Sequence, residues 1–305
     1  MLPYVVAAAV AVPLLWLCGD LAYSLVVKHL YSRWESGIER DAEGVRVGCR
    51  EFTLGEGDDA ILLIHGFGDS PAVFQLMAPA LAAKGFTCHG LRLPLYGQSM
   101  SQYRRTSAVQ WRDAARSAIT ELRGRHRRVY LLAHSLGAAV AVEAVSEPAA
   151  VVDGMVLLAP LFDVSSRRSP FLPVHAWYRL LDSLLLFTDY VRTAYPADLW
   201  NESARALMRD DKFIPRVVIR DLFALVARNR GRAKTFAIPL LMILARHDRI
   251  VDNRAAERFF NDCAAQPKRL QYVEDAGHML PLDQGWEKLV EEAARFFHKL
   301  EPRAR

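Results

Sequence analysis

The strongest constraint on the fold is a series of short apolar runs separated by segments with helical spacing. The runs are residues 60–65 (AILLIH), 128–133 (RVYLLA), 154–158 (GMVLL) and 238–245 (IPLLMILA). Continuous apolar runs of this length are typical of strands that are buried on both faces. The alternation of such strands with helices therefore predicts an α/β fold, with a mostly parallel sheet and helices on both of its faces.

One long stretch, residues 161–234, interrupts this alternation because it contains no convincing strand. It is rich in Leu, Phe, Trp and Tyr, and it is too long for a single crossover connection. We predict that it is a helical cap, inserted into an α/β core formed by residues 48–160 and 235–300. Ordinary helices packed on the sheet are the alternative.

The segment from Ala133 to Gly137 (AHSLG) has the spacing of a nucleophile elbow, with Ala133 in the first small position. A strand pattern precedes it directly, and an Ala- and Val-rich helical pattern follows it. Small residues are needed on both sides of the serine because the helix crosses close to the strand. We therefore predict that Ser135 is a nucleophile exposed on a tight strand-to-helix turn.

A second loop, His65-Gly66-Phe67-Gly68, follows the AILLIH run. Its glycines allow the backbone to approach the elbow closely. We assign an oxyanion hole to the backbone N–H groups of Phe67 and Leu136, the latter being the residue after the nucleophile. The side chain of His65 is expected to shape the loop.

The acid of a triad is expected after a later strand, at the edge of the sheet where catalytic groups gather. Asp248 follows the run 238–245 and is our candidate. Its role would be to orient an imidazole and to stabilise the imidazolium. Two rivals remain open, namely Asp252 and Asp163, which follows the strand pattern 154–158.

The base is expected in a loop near the C-terminus, and His278 in the segment Asp275-Ala276-Gly277-His278 meets this expectation. The resulting chain order of nucleophile, acid and base is the order used on this type of sheet. We expect His134 and His247 to have structural roles.

The N-terminal segment, residues 1–27, is strongly apolar and is predicted to be a membrane-anchor helix, followed by a polar connector at 28–47. Asp20 must then lie near an interface. Lys28 and Arg33 follow the apolar run, and the positive-inside rule places the catalytic domain in the cytoplasm. The alternative is a helix that packs on the core.

Composition narrows the function classes. The chain is 52% hydrophobic and 24% charged, which excludes a disordered or collagen-like chain. The net charge is +5, but the basic residues are dispersed apart from residues 123–128 and 228–234, and no nucleic-acid motif accompanies them, so we expect no nucleic-acid partner. The four cysteines form no C-x-x-C pair and predict neither a disulfide framework nor a metal site.

Three passages give the chain a resemblance to the α/β-hydrolase family, in its carboxylesterase and monoacylglycerol-lipase branch. They are the oxyanion segment 63–68 (LIHGFG), the elbow 133–137 and the histidine loop 275–283 (DAGHMLPLD). The resemblance extends from about residue 50 to 300 and implies an α/β-hydrolase fold. At residues 94–99 (PLYGQS) the chain departs from the RGHGxS pattern of many relatives, because only Gly97 and Ser99 agree.

These observations predict a serine hydrolase that cleaves carboxylic esters through an acyl-enzyme on Ser135 and needs no metal or organic cofactor. The apolar cap and anchor favour a lipid-like ester, such as a monoacylglycerol or a lysophospholipid. The same triad could instead cleave amides, peptides or thioesters, or transfer an acyl group to an alcohol. A cofactor-free peroxidase, a C–C hydrolase and a non-catalytic membrane-bound binding protein are further alternatives. The oligomeric state is not predicted.

Overall fold

The computed structural model describes residues 2–146, 151–169, 171–193 and 196–301. Its centre is a seven-stranded sheet in the order β1-β3-β2-β4-β5-β8-β9, in which all neighbouring strands are parallel except β1 against β3. The strands are β1 (Phe52–Leu54), β2 (Asp59–Ile64), β3 (Phe86–Leu91), β4 (Arg128–His134), β5 (Gly154–Leu158), β8 (Leu240–Ala245) and β9 (Lys268–Val273). Strands β2, β4, β5 and β8 are buried along their whole length, as their continuous apolar runs predict.

Helices surround this sheet, and the predicted fold class is confirmed. The core helices are α2 (Met77–Ala82), α3 (Met100–Tyr103), α4 (Ala108–Arg125), α5 (Leu136–Ala144), α8 (Asn253–Asp262) and α9 (Trp286–Lys299). Short 3-10 helices lie at Pro71–Phe74, Ser166–Arg168, Glu202–Leu207 and Ala233–Thr235. Helix α2 contacts α9 and helix α4 contacts α5, so these four helices form two pairs around the sheet.

The stretch predicted as a cap contains α6 (Val174–Leu184) and α7 (Arg216–Asn229). It also contains two short antiparallel strands, β6 (Tyr190–Arg192) and β7 (Phe213–Pro215), which were not predicted. Each of these strands has three residues, too few to show the alternation that distinguishes a strand in sequence. Pro170, Ala194 and Tyr195 of the predicted cap lie outside the described residues, as do Met1 and residues 147–150 and 302–305.

The N-terminal segment forms one continuous helix, α1 (Leu2–Glu35). The predicted boundary between an anchor at 1–27 and a connector at 28–47 therefore needs correction, because residues 28–35 belong to the helix. The change from apolar to polar residues at Lys28 does not end the helix, since no helix-breaking residue follows before Gly37. The part Ala9–Glu35 is long and apolar enough to cross a membrane by its length and composition.

The parallel arrangement determines where the functional loops meet. Strands β2, β4, β5, β8 and β9 all point the same way, so their carboxyl ends lie along one edge of the sheet. The segments that begin at His65, Ser135 and Arg246 follow three of these ends, and residues 274–280 follow a fourth. This edge therefore gathers the residues singled out in the sequence.

Candidate active site

Ser135 lies on the turn between β4 and α5 with φ 53° and ψ −117°, a conformation that non-glycine residues rarely adopt. Its N–H donates to the carbonyl of Leu158 at 3.0 Å, and its own carbonyl accepts the N–H of Leu161 at 3.0 Å. A Cβ atom at Gly137 would lie 2.2 Å from the carbonyl oxygen of Ile64. The small residue predicted at that position is therefore required by the close crossing of α5 over β2.

The structure brings the three predicted triad residues into one array. The Nε2 atom of His278 is 2.9 Å from the Oγ atom of Ser135, and its Nδ1 atom is 2.7 Å from Oδ2 of Asp248. A carboxylate accepts only, so the Nδ1 atom carries the proton, and the Nε2 atom of the neutral ring is free to accept the serine O–H. This arrangement allows proton removal from Ser135.

Asp248 is almost completely buried, yet it has the charge that orients His278. Its second oxygen accepts the backbone N–H groups of Ile250 at 2.7 Å and Val251 at 2.9 Å. Burial alone raises the pKa of Asp248, but the facing His278 ring and these hydrogen bonds outweigh it, so the pKa lies below its usual range. The carboxylate is therefore ionised at neutral pH.

The two rival acids are engaged elsewhere. Asp163 pairs with Arg230 at 2.8 Å and accepts the N–H of Val164. Asp252 accepts the N–H of Arg254 at 3.0 Å as the N-terminal cap of α8. Neither carboxylate has a hydrogen bond to the histidine.

The neighbouring histidines have contacts of a structural kind. His65 forms a hydrogen bond with the Gly66 carbonyl through Nδ1 at 2.9 Å and accepts the N–H of Leu93 through Nε2 at 3.1 Å. His134 contacts the His278 carbonyl through Nε2 at 3.0 Å. Burial lowers the pKa of His65 to about 4, and burial together with the adjacent His278 lowers the pKa of His134 to about 3, so both rings are neutral. His247 is exposed and stacks on Trp200.

The two residues assigned to an oxyanion hole are near the serine, since Phe67 lines the same cavity as Ser135 and Leu136 follows Ser135 in the chain. Phe67 lies in the loop after β2, next to Gly66. A Cβ atom added to Gly66 would lie 3.2 Å from the Cβ of Ser135, so this loop approaches the serine closely. Leu136 is the first residue of α5, where the backbone N–H groups have no partner within the helix. Within the described part of the chain, neither amide donates a hydrogen bond to a protein acceptor. Both are available to a ligand.

A cavity of about 520 Å³ opens over Ser135 and His278. This volume falls in the range of small-molecule binding sites. Its walls come from the loop after β2 and from the cap. Most of the lining side chains from the cap are apolar, namely Val174, Trp177, Tyr178, Leu181, Leu185, Val191, Ile214, Ile219, Leu222 and Phe223.

Asp69 and Asp211 give the cavity an acidic region, and Asp210 lines it beside them. The N–H of Asp211 donates to the carbonyl of Gly68 at 2.7 Å, which joins the cap to the predicted oxyanion loop. Burial raises the pKa of Asp69 to about 7 and that of Asp211 to about 8. Within the described ranges, no group of three or more His, Cys, Asp or Glu side chains is arranged to hold a metal ion.

Sequence reasoning missed the carboxylate that shapes the histidine loop. Asp283 is fully buried and accepts the backbone N–H groups of Gly277, Trp200, Asn201 and Gln284. It thereby ties the loop before His278 to the cap. The only signal in the sequence was its position five residues after the histidine, within the segment that carried the resemblance.

Comparison with known proteins agrees with this geometry. The serine aminopeptidase S33 family model matches residues 55–285. The carboxylesterase of Bacillus subtilis (strain 168) is 21% identical over 254 residues, which cover 83% of this chain and 97% of that protein. The thermostable monoacylglycerol lipase of Bacillus sp. (strain H-257) is 21% identical over 252 residues, with coverages of 83% and 95%.

Solved structures show the same fold. A structure reported for two metagenome-derived lipolytic enzymes matches with a TM-score of 0.72 at 20% identity, over 84% of this chain and 99% of that chain. The family model covers more than half of the sequence, and it includes both the elbow and the histidine loop. The chain therefore belongs to the serine aminopeptidase S33 family of α/β-hydrolases, and it is an enzyme of the carboxylic ester hydrolase class.

Proposed function

We propose that the protein hydrolyses lipid-like carboxylic esters through an acyl-enzyme on Ser135. The observation that carries this proposal is the array of Ser135, His278 and Asp248, with contacts of 2.9 and 2.7 Å. The amides of Phe67 and Leu136, which have no acceptor among the described residues, form the proposed oxyanion hole. Names of relatives such as carboxylesterase and monoacylglycerol lipase support the same chemistry.

In the proposed reaction, Nε2 of His278 takes the proton of Ser135 while Oγ attacks the ester carbonyl. The amides of Phe67 and Leu136 stabilise the tetrahedral oxyanion, each contributing about 3–4 kcal/mol. The imidazolium, held by Asp248, returns its proton to the departing alcohol and leaves an acyl-serine. Water then attacks this acyl group with His278 again as the base, which releases the carboxylic acid and restores the serine.

The cavity supports a monoacylglycerol more strongly than a lysophospholipid. The apolar cap wall suits an acyl chain, while Asp69, Asp210 and Asp211 offer oxygen atoms to the hydroxyl groups of glycerol. Burial raises the pKa of Asp69 and of Asp211, so these carboxyl groups can keep a proton and donate to a hydroxyl group as well as accept from one. We therefore propose a neutral polyol ester as the substrate class.

Membrane attachment is the second part of the proposal. The side chains described between Tyr4 and Gly19 are exposed or half-buried, and many of them are apolar. Residues 2–19 span about 27 Å as a helix, close to the hydrocarbon thickness of a bilayer at about 30 Å. Lys28 and Arg33 favour a cytoplasmic catalytic domain. In this proposal, the chain is divided into a core at 48–160 and 235–300 and a cap inserted at 161–234.

Amide hydrolysis is the second candidate, because the matching family model is named for aminopeptidases. The acidic region of the cavity could bind a substrate ammonium group as well as hydroxyl groups. Thioester hydrolysis and acyl transfer to an alcohol use the same triad.

A substrate panel tests the proposal on the detergent-solubilised full chain, with Ser135→Ala as the control. The panel contains monooleoylglycerol, lysophosphatidylcholine, an aminoacyl anilide and a thioester. We expect monooleoylglycerol to give the highest kcat/KM and Ser135→Ala to abolish its turnover. A higher kcat/KM for the anilide would replace the ester proposal by peptidase activity, and turnover by Ser135→Ala would refute the assigned nucleophile.

A further inference from the structure

Helix α1 contacts the cap through Asp20, a charged side chain within a largely apolar part of the helix. Asp20 is only 5% exposed. Its Oδ2 atom accepts the backbone N–H groups of Leu186 at 2.5 Å and Phe187 at 2.7 Å, and its Oδ1 atom accepts the Thr188 hydroxyl at 2.7 Å. The carboxylate thus binds residues 185–189, here called the cap turn, directly after α6.

A second polar residue of α1 binds the same turn. Ser24, one helical turn further along, is 1% exposed and donates to the carbonyl of Phe187 at 2.7 Å. In the described part of the chain, the amides of Leu186 and Phe187 have no acceptor other than Asp20. Without that carboxylate, two backbone donors would lie unpaired at the contact between helix and cap.

Aromatic side chains continue the contact between α1 and the cap further along the helix. The ring of Tyr31 lies 5.2 Å from that of Tyr190 in β6 and 5.7 Å from that of Phe213 in β7. Its hydroxyl accepts the N–H of Met100 at 2.9 Å. The helix from Asp20 onward therefore packs one of its faces on the protein, whereas the described side chains before Asp20 are exposed or half-buried.

The cap turn leads directly to the cavity wall. Arg216 donates to the carbonyls of Leu185 and Thr188, the latter at 2.7 Å, and to Oδ1 of Asp182 in α6 at 2.7 Å. Leu185, Asp182 and Arg216 all line the cavity over Ser135. The contacts thus run without interruption from Asp20 through the cap turn to the wall that faces the substrate.

We propose that Asp20 is a positioning residue for the substrate cavity, which holds the cap turn, and with it the wall formed by Leu185 and Arg216, against α1 at the membrane boundary. Its effect should fall on long acyl chains, which need that wall, and not on the chemistry at Ser135. This inference rests on the proposed ester hydrolysis.

The test compares Asp20→Leu, Asp20→Asn and the control Lys28→Leu in the detergent-solubilised full chain. Leucine makes the helix more apolar, so weaker membrane insertion cannot explain a rise in KM. Asparagine is expected to restore function, because its oxygen can accept both amides while its NH₂ group donates to the Thr188 hydroxyl. Lys28 is an exposed residue of α1, so its replacement also removes a charge but no contact with the cap turn.

Two substrates separate positioning from catalysis, namely p-nitrophenyl dodecanoate and p-nitrophenyl butyrate. We expect Asp20→Leu to raise KM for the dodecanoate about tenfold, because two buried donors lose their acceptor. The value of kcat should stay within about twofold for both esters, because the triad is unchanged. Asp20→Asn and Lys28→Leu should behave like wild type. An unchanged KM for the dodecanoate, or an equal fall in kcat for both esters, would overturn the proposal.

A second readout does not depend on activity. Trypsin cleavage after Arg179, an exposed residue of α6, reports opening of the cap. We expect it to be faster in Asp20→Leu than in Lys28→Leu, and equal rates would contradict the inference. If wild type cleaves neither ester, the proposed function fails, while the trypsin comparison still decides the role of Asp20. If Asp20→Leu does not fold, Ser24→Ala replaces it, with the same direction expected for both readouts.

Discussion

Asp69 provides a prediction whose size and sign follow from its surroundings. The residue is 6% exposed, and its Oδ1 atom accepts the N–H of Ser70 at 2.8 Å. Its Oδ2 atom has no partner among the described residues. Asp210 lies close enough to disfavour its charge, whereas His278 and Arg46 favour it more weakly than burial opposes it. The substitution Asp69→Asn keeps the acceptor for Ser70 and removes the ionisable group.

The pKa of Asp69 rises from the ordinary 3.8 to about 7 in the folded protein. The folded state therefore keeps a proton that the unfolded chain releases, and the free energy of unfolding falls as the pH rises from about 4 to about 7. The stabilisation is fully present below pH 4 and is lost as the pH passes the folded pKa. Asp69 alone accounts for about 3 kcal/mol of this loss between pH 5 and pH 8.

Urea unfolding of the detergent-solubilised chain at pH 5 and pH 8 measures this effect. We expect the stability of Asp69→Asn relative to wild type to increase by about 3 kcal/mol from the lower to the higher pH. Asp113→Asn, which changes an exposed carboxyl on α4, is the matched control and should shift by less than about 0.5 kcal/mol. This reasoning is refuted if Asp69→Asn and wild type differ in their free energy of unfolding by the same amount at both pH values.

Three further predictions follow from the site and from α1. In ester assays, Asp248→Asn should lower kcat about 10⁴-fold, because it allows the wrong tautomer of His278. The control Asp163→Asn should leave kcat within about twofold, and the reverse result would reassign the acid. Gly137→Ala should destabilise the protein by about 3 kcal/mol in urea unfolding, because the new Cβ would lie 2.2 Å from a backbone oxygen. Gly124→Ala, whose Cβ meets nothing within 4 Å, should not destabilise it, and equal effects would contradict the close crossing. A chain that begins at Asp20 should leave the membrane fraction and keep its KM for long-chain esters; continued pelleting with membranes would place the attachment elsewhere.

The elbow was predictable from sequence because its signals are local. A buried strand, a small residue on either side of Ser135 and a helix directly after it are all visible within fifteen residues or so of chain. The positions of Asp248 and His278 followed because parallel strands end at a common edge. Their separation from each other in the chain did not matter once a mostly parallel sheet was predicted.

The acidic part of the cavity was not predictable, because it arises from contacts between distant segments. Asp69 and Asp211 are 142 positions apart in numbering, and each looks like an ordinary loop residue in the sequence. The cap turn that binds Asp20 is equally remote from α1. Polarity at Lys28 suggested the end of a helix, but α1 continues to Glu35, and its contact with the cap already begins at Asp20. Such features depend on tertiary contacts, which periodicity does not report.

The central claim, that Ser135 is the activated nucleophile, is tested most directly by labelling the folded chain with a fluorophosphonate probe and mapping the adduct by peptide mass spectrometry. The account predicts one adduct, on Ser135, which is absent from Ser135→Ala and forms much more slowly in His278→Gln, because the serine then lacks its base. Absence of an adduct on folded wild type, or equal labelling of Ser135→Ala, would contradict the claim.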